Sequence, residues 1–272
     1  MNIRSGLAIA KSSFLEVAAF RAYFVFTIIG NIFYVFIMYF LWQAIFKNVD
    51  GQMINGMNFQ DTFVYLALAG GMGSIITVFV EWIMSRDIKS GNVSMYLVKP
   101  IDYQLFVLSK GAGDMISNLI IIFIPNFIIV YFISGGYIKI GVNVLFFLLA
   151  FVMAAFISLT FDFLIGLLSF YTENVWGISA MKDTVVLLLS GAVVPIAFFP
   201  EKLKMIVEFL PFQAVYNLPL QVLINKSYGV EDYIKIIALQ LFWAVLLFLL
   251  SRIFYKHASK AIIVNGENIP QL

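Results

Sequence analysis

Long stretches without a single charged side chain constrain this sequence more than any other feature. The clearest runs from Ala22 to Phe46, and others follow at 62–80, 115–138 and 140–161. A helix of about 20 apolar residues crosses the hydrocarbon core of a bilayer. Hydrophobic residues make up 62% of the 272 and charged residues 12%, whereas soluble domains have about 45–50% and about 25%. The sequence therefore predicts an all-α polytopic membrane protein.

Two shorter runs complete a predicted set of six transmembrane helices. Residues 184–200 are too few to cross comfortably, so this fifth span is predicted to begin near Val175. The sixth run, 236–251, is predicted to extend to 233–254, because the lysine and arginine at its ends can keep their charged groups in water.

The chain is predicted to have three parts. Residues 1–21 carry apolar side chains at steps of three and four, which is typical of an amphipathic helix lying in the membrane interface. A plain cytoplasmic lead-in is the alternative. Residues 22–254 form the six-span domain, and 255–272 form a cytoplasmic tail.

The placement of lysine and arginine predicts the orientation. With the amino terminus inside, eleven of these residues lie in inner segments and six in outer ones. Positive residues accumulate on the cytoplasmic side of membrane proteins. Both termini, and the loop between spans 2 and 3, are therefore predicted to be cytoplasmic in a plasma membrane protein.

The segment 86–110 is predicted to be an ordered cytoplasmic loop rather than a flexible linker. A turn at 90–92 precedes apolar residues with helical spacing at 93–97, and Pro100 ends that short helix. A second short helical pattern begins at Tyr103. The simpler alternative is a basic anchor whose apolar face has no role of its own.

A second connection, 201–232, is predicted to lie outside and to be too apolar for a plain loop. Its two apolar stretches, 203–210 and 212–224, are separated by Pro211 and are too short to cross. A pair of outer re-entrant or surface-lying helices between spans 5 and 6 fits them.

No set of residues in the sequence indicates an enzyme. The chain has no cysteine and one histidine, and no glycine-rich phosphate loop ending in Gly-Lys-Ser/Thr. We therefore expect no catalytic residues, no metal site and no cofactor bound by this chain, and no nucleic-acid partner.

Ionisable residues at membrane depth are costly and are candidates for function. Asp162, near the inner end of the fourth span, either lines a substrate path or packs helices as a partner of Lys182 or of an interfacial water. It would also be the coupling carboxylate if the chain were an ion-coupled secondary transporter. Glu81 is predicted to pair with Arg86.

Two further predictions concern groups near or inside the spans. Asp114 is predicted to pair with Lys110 at the inner end of span 3. Pro195 frees a backbone carbonyl within the fifth span and is predicted to kink that helix, either as plain packing or beside the translocation path; Pro125 is predicted to do the same in span 3.

Two stretches resemble type-2 ABC-transporter permeases, in particular the bacterial subgroup of uncharacterised ABC-2 permease components. The first is Ile88–Val93 with Leu97–Ile101, which resembles the cytoplasmic loop of that family. The second is Leu189–Pro195 through Phe198–Pro200 to Leu210–Gln213, which resembles its last span pair.

The resemblance implies a permease subunit that pairs with a second permease, identical or homologous, and with two cytoplasmic ABC ATPase subunits that use ATP and Mg. It implies export of a hydrophobic or amphipathic substrate, such as a lipid, peptide or drug-like molecule. It also implies that the loop between spans 2 and 3 is a coupling helix that docks the ATPase, with the residues Ser90, Gly91, Asn92, Val93, Tyr96, Leu97, Lys99, Pro100 and Tyr103.

Overall fold

The long helices follow the uncharged runs. The computed structural model describes residues 3–48, 53–93, 96, 102–172 and 174–265, without the side chains of 3, 21 and 259–265. Eleven α-helices are described: α1 (Ile3–Ala18), α2 (Arg21–Lys47), α3 (Phe59–Ile76), α4 (Val80–Lys89), α5 (Tyr103–Asn118), α6 (Ile124–Ile133), α7 (Val142–Leu167), α8 (Trp176–Leu189), α9 (Glu201–Glu208), α10 (Asn217–Ile224) and α11 (Val230–Asn265). An antiparallel hairpin, β1 (Met53–Ile54) and β2 (Met57–Asn58), precedes α3.

Five helical stretches are long and apolar enough to cross a membrane: Ala22–Lys47, Phe59–Lys89, Tyr103–Ile133, Val142–Phe170 and Val230–Ala258. The one α-helix described within the predicted fifth span is α8, which has 14 residues. That helix is about 21 Å long at 1.5 Å per residue, short of the roughly 30 Å hydrocarbon core. The described residues therefore supply five full-length helical spans, and the predicted sixth is not confirmed.

Two of the five stretches are interrupted. Residues 77–79 separate α3 from α4, and Phe79 has left-handed backbone angles (φ 50°, ψ 38°). A π-helical turn at Leu119–Phe123 joins α5 to α6. Pro125 lacks an N–H and crowds the carbonyl four residues earlier, so a widened turn before it relieves the clash. The predicted disturbance at Pro125 is thus present.

The helix α3 lies at the centre of the fold and is the most buried of the five spans, whereas α2 is the least. Polar side chains from neighbouring helices bond its backbone: Tyr34 donates to the Leu66 carbonyl at 3.3 Å, and Asn126 to the Ala67 carbonyl at 3.1 Å. Such bonds hold helices together where water is absent.

The amino-terminal helix α1 packs along α5. A Cβ on Gly113 would collide with the backbone carbonyl of Ala10, so glycine permits this approach. The Ser117 hydroxyl donates to the Phe14 carbonyl at 3.2 Å, and Ser13 donates to Asp114. The sequence predicted an ion pair between Asp114 and Lys110. That prediction is wrong, because the Asp114 carboxylate instead accepts a hydrogen bond from a serine of α1.

The two ends of the bundle are distinguished by their connections. One, the hairpin end, contains β1 and β2. The other, the loop end, contains the described residues 86–93, 96 and 102, and there the Asp102 carboxylate contacts the Arg252 guanidinium at 2.6 Å. The predicted second short helix at Tyr103 is the first turn of the 16-residue α5. That helix starts there because the Asp102 side chain accepts a hydrogen bond from the Leu105 N–H at 3.0 Å and caps its first turn.

The connection after α8 is folded against the bundle. Two 3-10 turns, Ile196–Phe198 and Pro211–Ala214, flank the eight-residue α9, and α10 is buried over most of its length. Gln240 of α11 donates to the carbonyls of Ala150 and Ala214, at 3.0 and 2.8 Å. Short helices thus occupy the segment where re-entrant helices were predicted.

Candidate functional site

A cluster of four ionisable side chains lies between α4, α7 and α8. The Lys182 ammonium is 2.5 Å from a carboxylate oxygen of Asp162, 2.8 Å from Asp183 and 3.7 Å from Glu81. Glu81 and Asp162 are buried, at 1% and 3% exposure. Charges so far from water are stable only when they are paired.

The cluster forms because its members stand at matching depth. Asp162 lies five residues before the end of α7, Glu81 lies eight before the end of α4, and Lys182 lies six after the start of α8. All three counts start from the loop end of the bundle. The three helices therefore place their ionisable side chains at a similar depth. The predicted Asp162–Lys182 pair is present.

Glu81 is the member of the cluster whose role the sequence did not indicate. Instead of pairing with Arg86 as predicted, it faces Lys182, and its Oε1 accepts a hydrogen bond from Ser179 of α8. Side chains three or four residues apart are neighbours on a helix, whereas Arg86 follows Glu81 by five and therefore points elsewhere. Arg86 is exposed. The second oxygen, Oε2, is buried without a hydrogen bond from any described residue.

A cavity of about 370 Å³ opens beside this cluster. Glu81, Asp162, Lys182 and Asp183 form its polar wall, together with Tyr216. The remaining lining is mostly apolar and includes the interruption between α3 and α4: Ile76, Thr77, Val78, Phe79, Ser158, Phe161, Thr184, Val186 and Leu187. The described residues contain no group of three His, Cys, Asp or Glu side chains arranged for a metal ion.

The residues predicted to dock an ATPase lie at the loop end, apart from the charge cluster. Ser90, Gly91 and Asn92 are exposed, and Gly91 has φ +72°, which confirms the predicted turn. Val93 is buried, at 2% exposure. Among the described residues 90–93, the apolar Val93 is therefore the one turned away from solvent.

Three aromatic rings, from this loop and the first turn of α5, pack together. The ring of Tyr96 is half-buried, 5.3 Å from that of Tyr103 and 4.8 Å from that of Phe106. Tyr103 is buried, and its hydroxyl is 3.5 Å from the Asp87 carboxylate. Leu97, Lys99 and Pro100 lie outside the described residues, and the docking role of all nine predicted residues stays a prediction.

Pro195 lies away from the charge cluster. It precedes the 3-10 turn Ile196–Phe198, and the chain before it is already non-helical. It is buried and does not line the cavity beside Asp162. The predicted helix kink at Pro195 is wrong, because α8 ends at Leu189 and no helix reaches the proline.

Sequence reasoning missed Glu81, Ser179 and Asp183 as members of one site. Counting residues inward from the loop end of each span would have placed Glu81 and Lys182 near the depth of Asp162. It could not show which faces of the helices point toward each other, since that depends on how the helices pack.

The fold is that of a multi-pass helical membrane protein. It has long apolar helices, polar side chains that bond helix backbones, and a buried charge cluster. A family model described as ABC-2 family transporter protein matches residues 32–264. The chain belongs to that family, and the resemblance predicted from its sequence is confirmed. It is an ABC-type permease component embedded in the membrane. No curated protein matches the chain.

Proposed function

We propose that this chain is the permease subunit of an ATP-driven exporter that moves a hydrophobic or amphipathic substrate out of the cytoplasm or the inner leaflet. In the proposed assembly it pairs with a second permease, identical or homologous, and with two cytoplasmic ABC ATPase subunits. Its membership of the ABC-2 family carries the proposal. ATP and Mg belong to the partner, and no cofactor is assigned to this chain.

The connections of the loop support a role in coupling. Asp87 and Tyr103 link α4 to α5, and Asp102 with Arg252 links the start of α5 to α11. A force applied to the described ends of this loop, residues 86–93 and 102, would therefore act on α4, α5 and α11 at once. A basic anchor without a mechanical role would not need these links.

The proposed topology has six crossings with both termini cytoplasmic in the plasma membrane. Residues 190–200 would complete the crossing that α8 begins, and α9 and α10 would be outer re-entrant helices. Irregular backbone is tolerated at membrane depth only where protein covers it. Ser190, Gly191 and Ala192 are buried, and the Ser190 carbonyl accepts a bond from the Asn217 N–H at 3.2 Å, which supports this arrangement.

A groove between α2, α3 and the end of α8 supports the proposed substrate class and the second permease. Its volume is about 610 Å³, and it is mostly apolar with Thr27 and Asn31 on one wall. Exposed apolar side chains, among them Phe33 and Val193, lie on the same helices and segments. Lipid, substrate or a second permease would cover them.

The test is capture of the tagged chain from its native membrane in a mild detergent, with every partner identified by mass. We expect an ABC ATPase in the complex. A second, different permease would establish a heteromer, and this permease alone a homodimer. Absence of any ATPase would contradict the proposal.

A charge reversal at the loop end sharpens the same test. Lys89 is exposed beside the predicted docking turn, so Lys89→Glu is expected to reduce ATPase capture several-fold while membrane insertion is unchanged. Lys202→Glu, exposed on the opposite side of the proposed membrane, is the matched control and should capture the ATPase normally. Equal capture by both variants would assign docking to other residues.

The ion-coupled alternative predicts that Asp162 carries the coupling ion. A transporting complex with Asp162→Asn that still depends only on ATP would remove that alternative. Transport that persists without ATPase and collapses with the ion gradient would instead replace the exporter proposal.

A further inference from the structure

The charge cluster carries more negative than positive charge. Three carboxylates, those of Glu81, Asp162 and Asp183, surround the single ammonium of Lys182. No other lysine or arginine is among the described residues that line the cavity beside them. A second cation in this cavity would compensate the excess charge, which is expensive at membrane depth.

An unused hydrogen-bond acceptor belongs to a side chain of the cavity wall. Ser179 and Lys182 both approach Oε1 of Glu81, whereas Oε2 is buried without a hydrogen bond from any described residue, on a side chain that lines the cavity. Buried carboxylate oxygens without a donor are costly. A cation in the adjoining cavity would lower the cost of this buried charge.

The end of α3 adds to the preference for a cation. This 18-residue helix ends at Ile76 on the cavity wall, and residues 77–79 continue along it without helical structure. The carboxyl end of a helix carries partial negative charge on its free carbonyls. Interrupted membrane helices offer cations such carbonyls elsewhere.

The rest of the cavity selects against a small hydrated ion. Phe79, Phe161 and Leu187 give it apolar walls, and its volume of about 370 Å³ accommodates a small organic molecule. Lys182 already stands between the carboxylates, so they are not grouped around a metal position. The cavity thus combines a negative end with an apolar body.

We propose that this cavity binds amphipathic organic cations, with the ammonium group of the ligand beside the carboxylates of Glu81 and Asp183 and its apolar part lying against Phe79, Phe161 and Leu187. The inference rests on the proposed permease function and narrows its substrate to molecules with one positively charged amino group. Lys182 then holds Asp162 while the ligand compensates Glu81 and Asp183.

The test is titration calorimetry of the purified permease in nanodiscs of zwitterionic lipid, with binding to empty nanodiscs subtracted. The probes are decylammonium, decanol and decyl sulfate, which share a chain and differ in charge. We expect saturable binding of decylammonium at one site, at least about tenfold tighter than decanol, because a charge-assisted hydrogen bond is lost with the alcohol. Equal binding of the amine and the alcohol would overturn the proposal.

Substitutions locate the binding at this cavity. Glu81→Gln keeps an acceptor for Ser179 but removes the charge, and is expected to weaken decylammonium binding about tenfold or more. Asp183→Asn, at a half-exposed position, tests the same charge without disturbing a buried residue and should weaken binding several-fold. Glu208→Gln, in an exposed pair on α9, is the control and should bind normally.

Unchanged binding in Asp183→Asn and in any Glu81→Gln protein that folds would also overturn the proposal. The experiment uses the permease alone, so its failure leaves ATPase capture and the exporter proposal untouched. A chain that binds decylammonium but captures no ATPase would keep this site and remove the exporter function.

Discussion

At the scale of single residues, Lys182 is the side chain on which the buried charges most depend. It is the only cation within 4 Å of Asp162 and Glu81 in the described residues, and its side chain is 12% exposed. A buried carboxylate that loses its partner keeps its desolvation penalty and gains nothing in return.

We therefore expect Lys182→Met to lower the free energy of unfolding by about 3–5 kcal/mol, measured by thermal unfolding in detergent. The control is Lys204→Met, which breaks an exposed pair with Glu208 and should cost no more than about 0.5 kcal/mol. Equal losses in the two variants would mean that the cluster is open to water.

Asp102 belongs to the same scale but lies outside the spans. Partial burial alone would raise its pKa, but hydrogen bonds from Arg252 and the Leu105 N–H outweigh this effect and hold the pKa below its ordinary value of 3.8. A lowered carboxyl pKa stabilises the folded protein above that ordinary value, and the stabilisation is lost as the pH falls through the folded pKa.

We expect Asp102→Asn, which keeps an acceptor for Leu105, to unfold at a lower temperature than the wild type at neutral pH. The difference should be about 0.5–1 kcal/mol, since the pair is partly exposed, and should shrink as the pH falls below about 4. Thermal unfolding across a pH series measures it. A difference that grows toward acid pH would show that Arg252 is not the stabilising partner.

At the scale of elements, the interruption between α3 and α4 depends on a strained residue. Phe79 has φ +50°, a conformation that costs most residues about 1–2 kcal/mol and suits glycine. Its side chain is half-exposed and tilts over Trp82, with the ring centres 5.8 Å apart. The strain is the local cost of placing residues 77–79 beside the charge cluster.

Phe79→Gly is expected to keep or raise thermal stability, because glycine removes the strain at the expense of one aromatic contact. Phe79→Ile should lower it by about 1–2 kcal/mol or straighten the helix, because a β-branched residue tolerates positive φ poorly. Thermal unfolding of the two variants side by side tests this. If Phe79→Ile is more stable than Phe79→Gly, then residue 79 is not held in the strained left-handed conformation by its surroundings.

At the scale of the whole molecule, the number of membrane crossings is five or six. The two topologies differ in the side of the membrane on which the connections lie. The chain has no cysteine, so single cysteines can be introduced one at a time and labelled with an impermeant reagent. Ser90, Asn174, Lys202 and Ser227 are exposed positions: Ser90 lies in the connection before α5, Asn174 in the one before α8, and Lys202 and Ser227 in the one between α8 and α11.

With six crossings, Ser90→Cys and Asn174→Cys are labelled only from the cytoplasmic side, and Lys202→Cys and Ser227→Cys only from outside. Labelling of Asn174→Cys and Lys202→Cys from one side would show that α8 and residues 190–200 do not cross. Labelling in intact and permeabilised cells distinguishes these patterns.

The class of this protein and its family follow from the sequence alone. Runs such as Ala22–Phe46 must be helices that avoid water, because no other structure satisfies their backbone inside a bilayer. The turn at Gly91 and the disturbance at Pro125 also follow from local chemistry. The Asp162–Lys182 pair was open to prediction because both residues lie in apolar runs where a charge needs a partner.

How these helices meet depends on contacts between distant parts of the chain. Glu81 and Ser179 are 98 residues apart in the chain, and nothing in the local pattern of either helix specifies that they face each other. The early end of α8, the partner of Glu81 and the position of Pro195 outside any helix all depend on packing between distant segments. Periodicity along one helix gives its apolar face, but the energy of burying a charge depends on which other helices surround it.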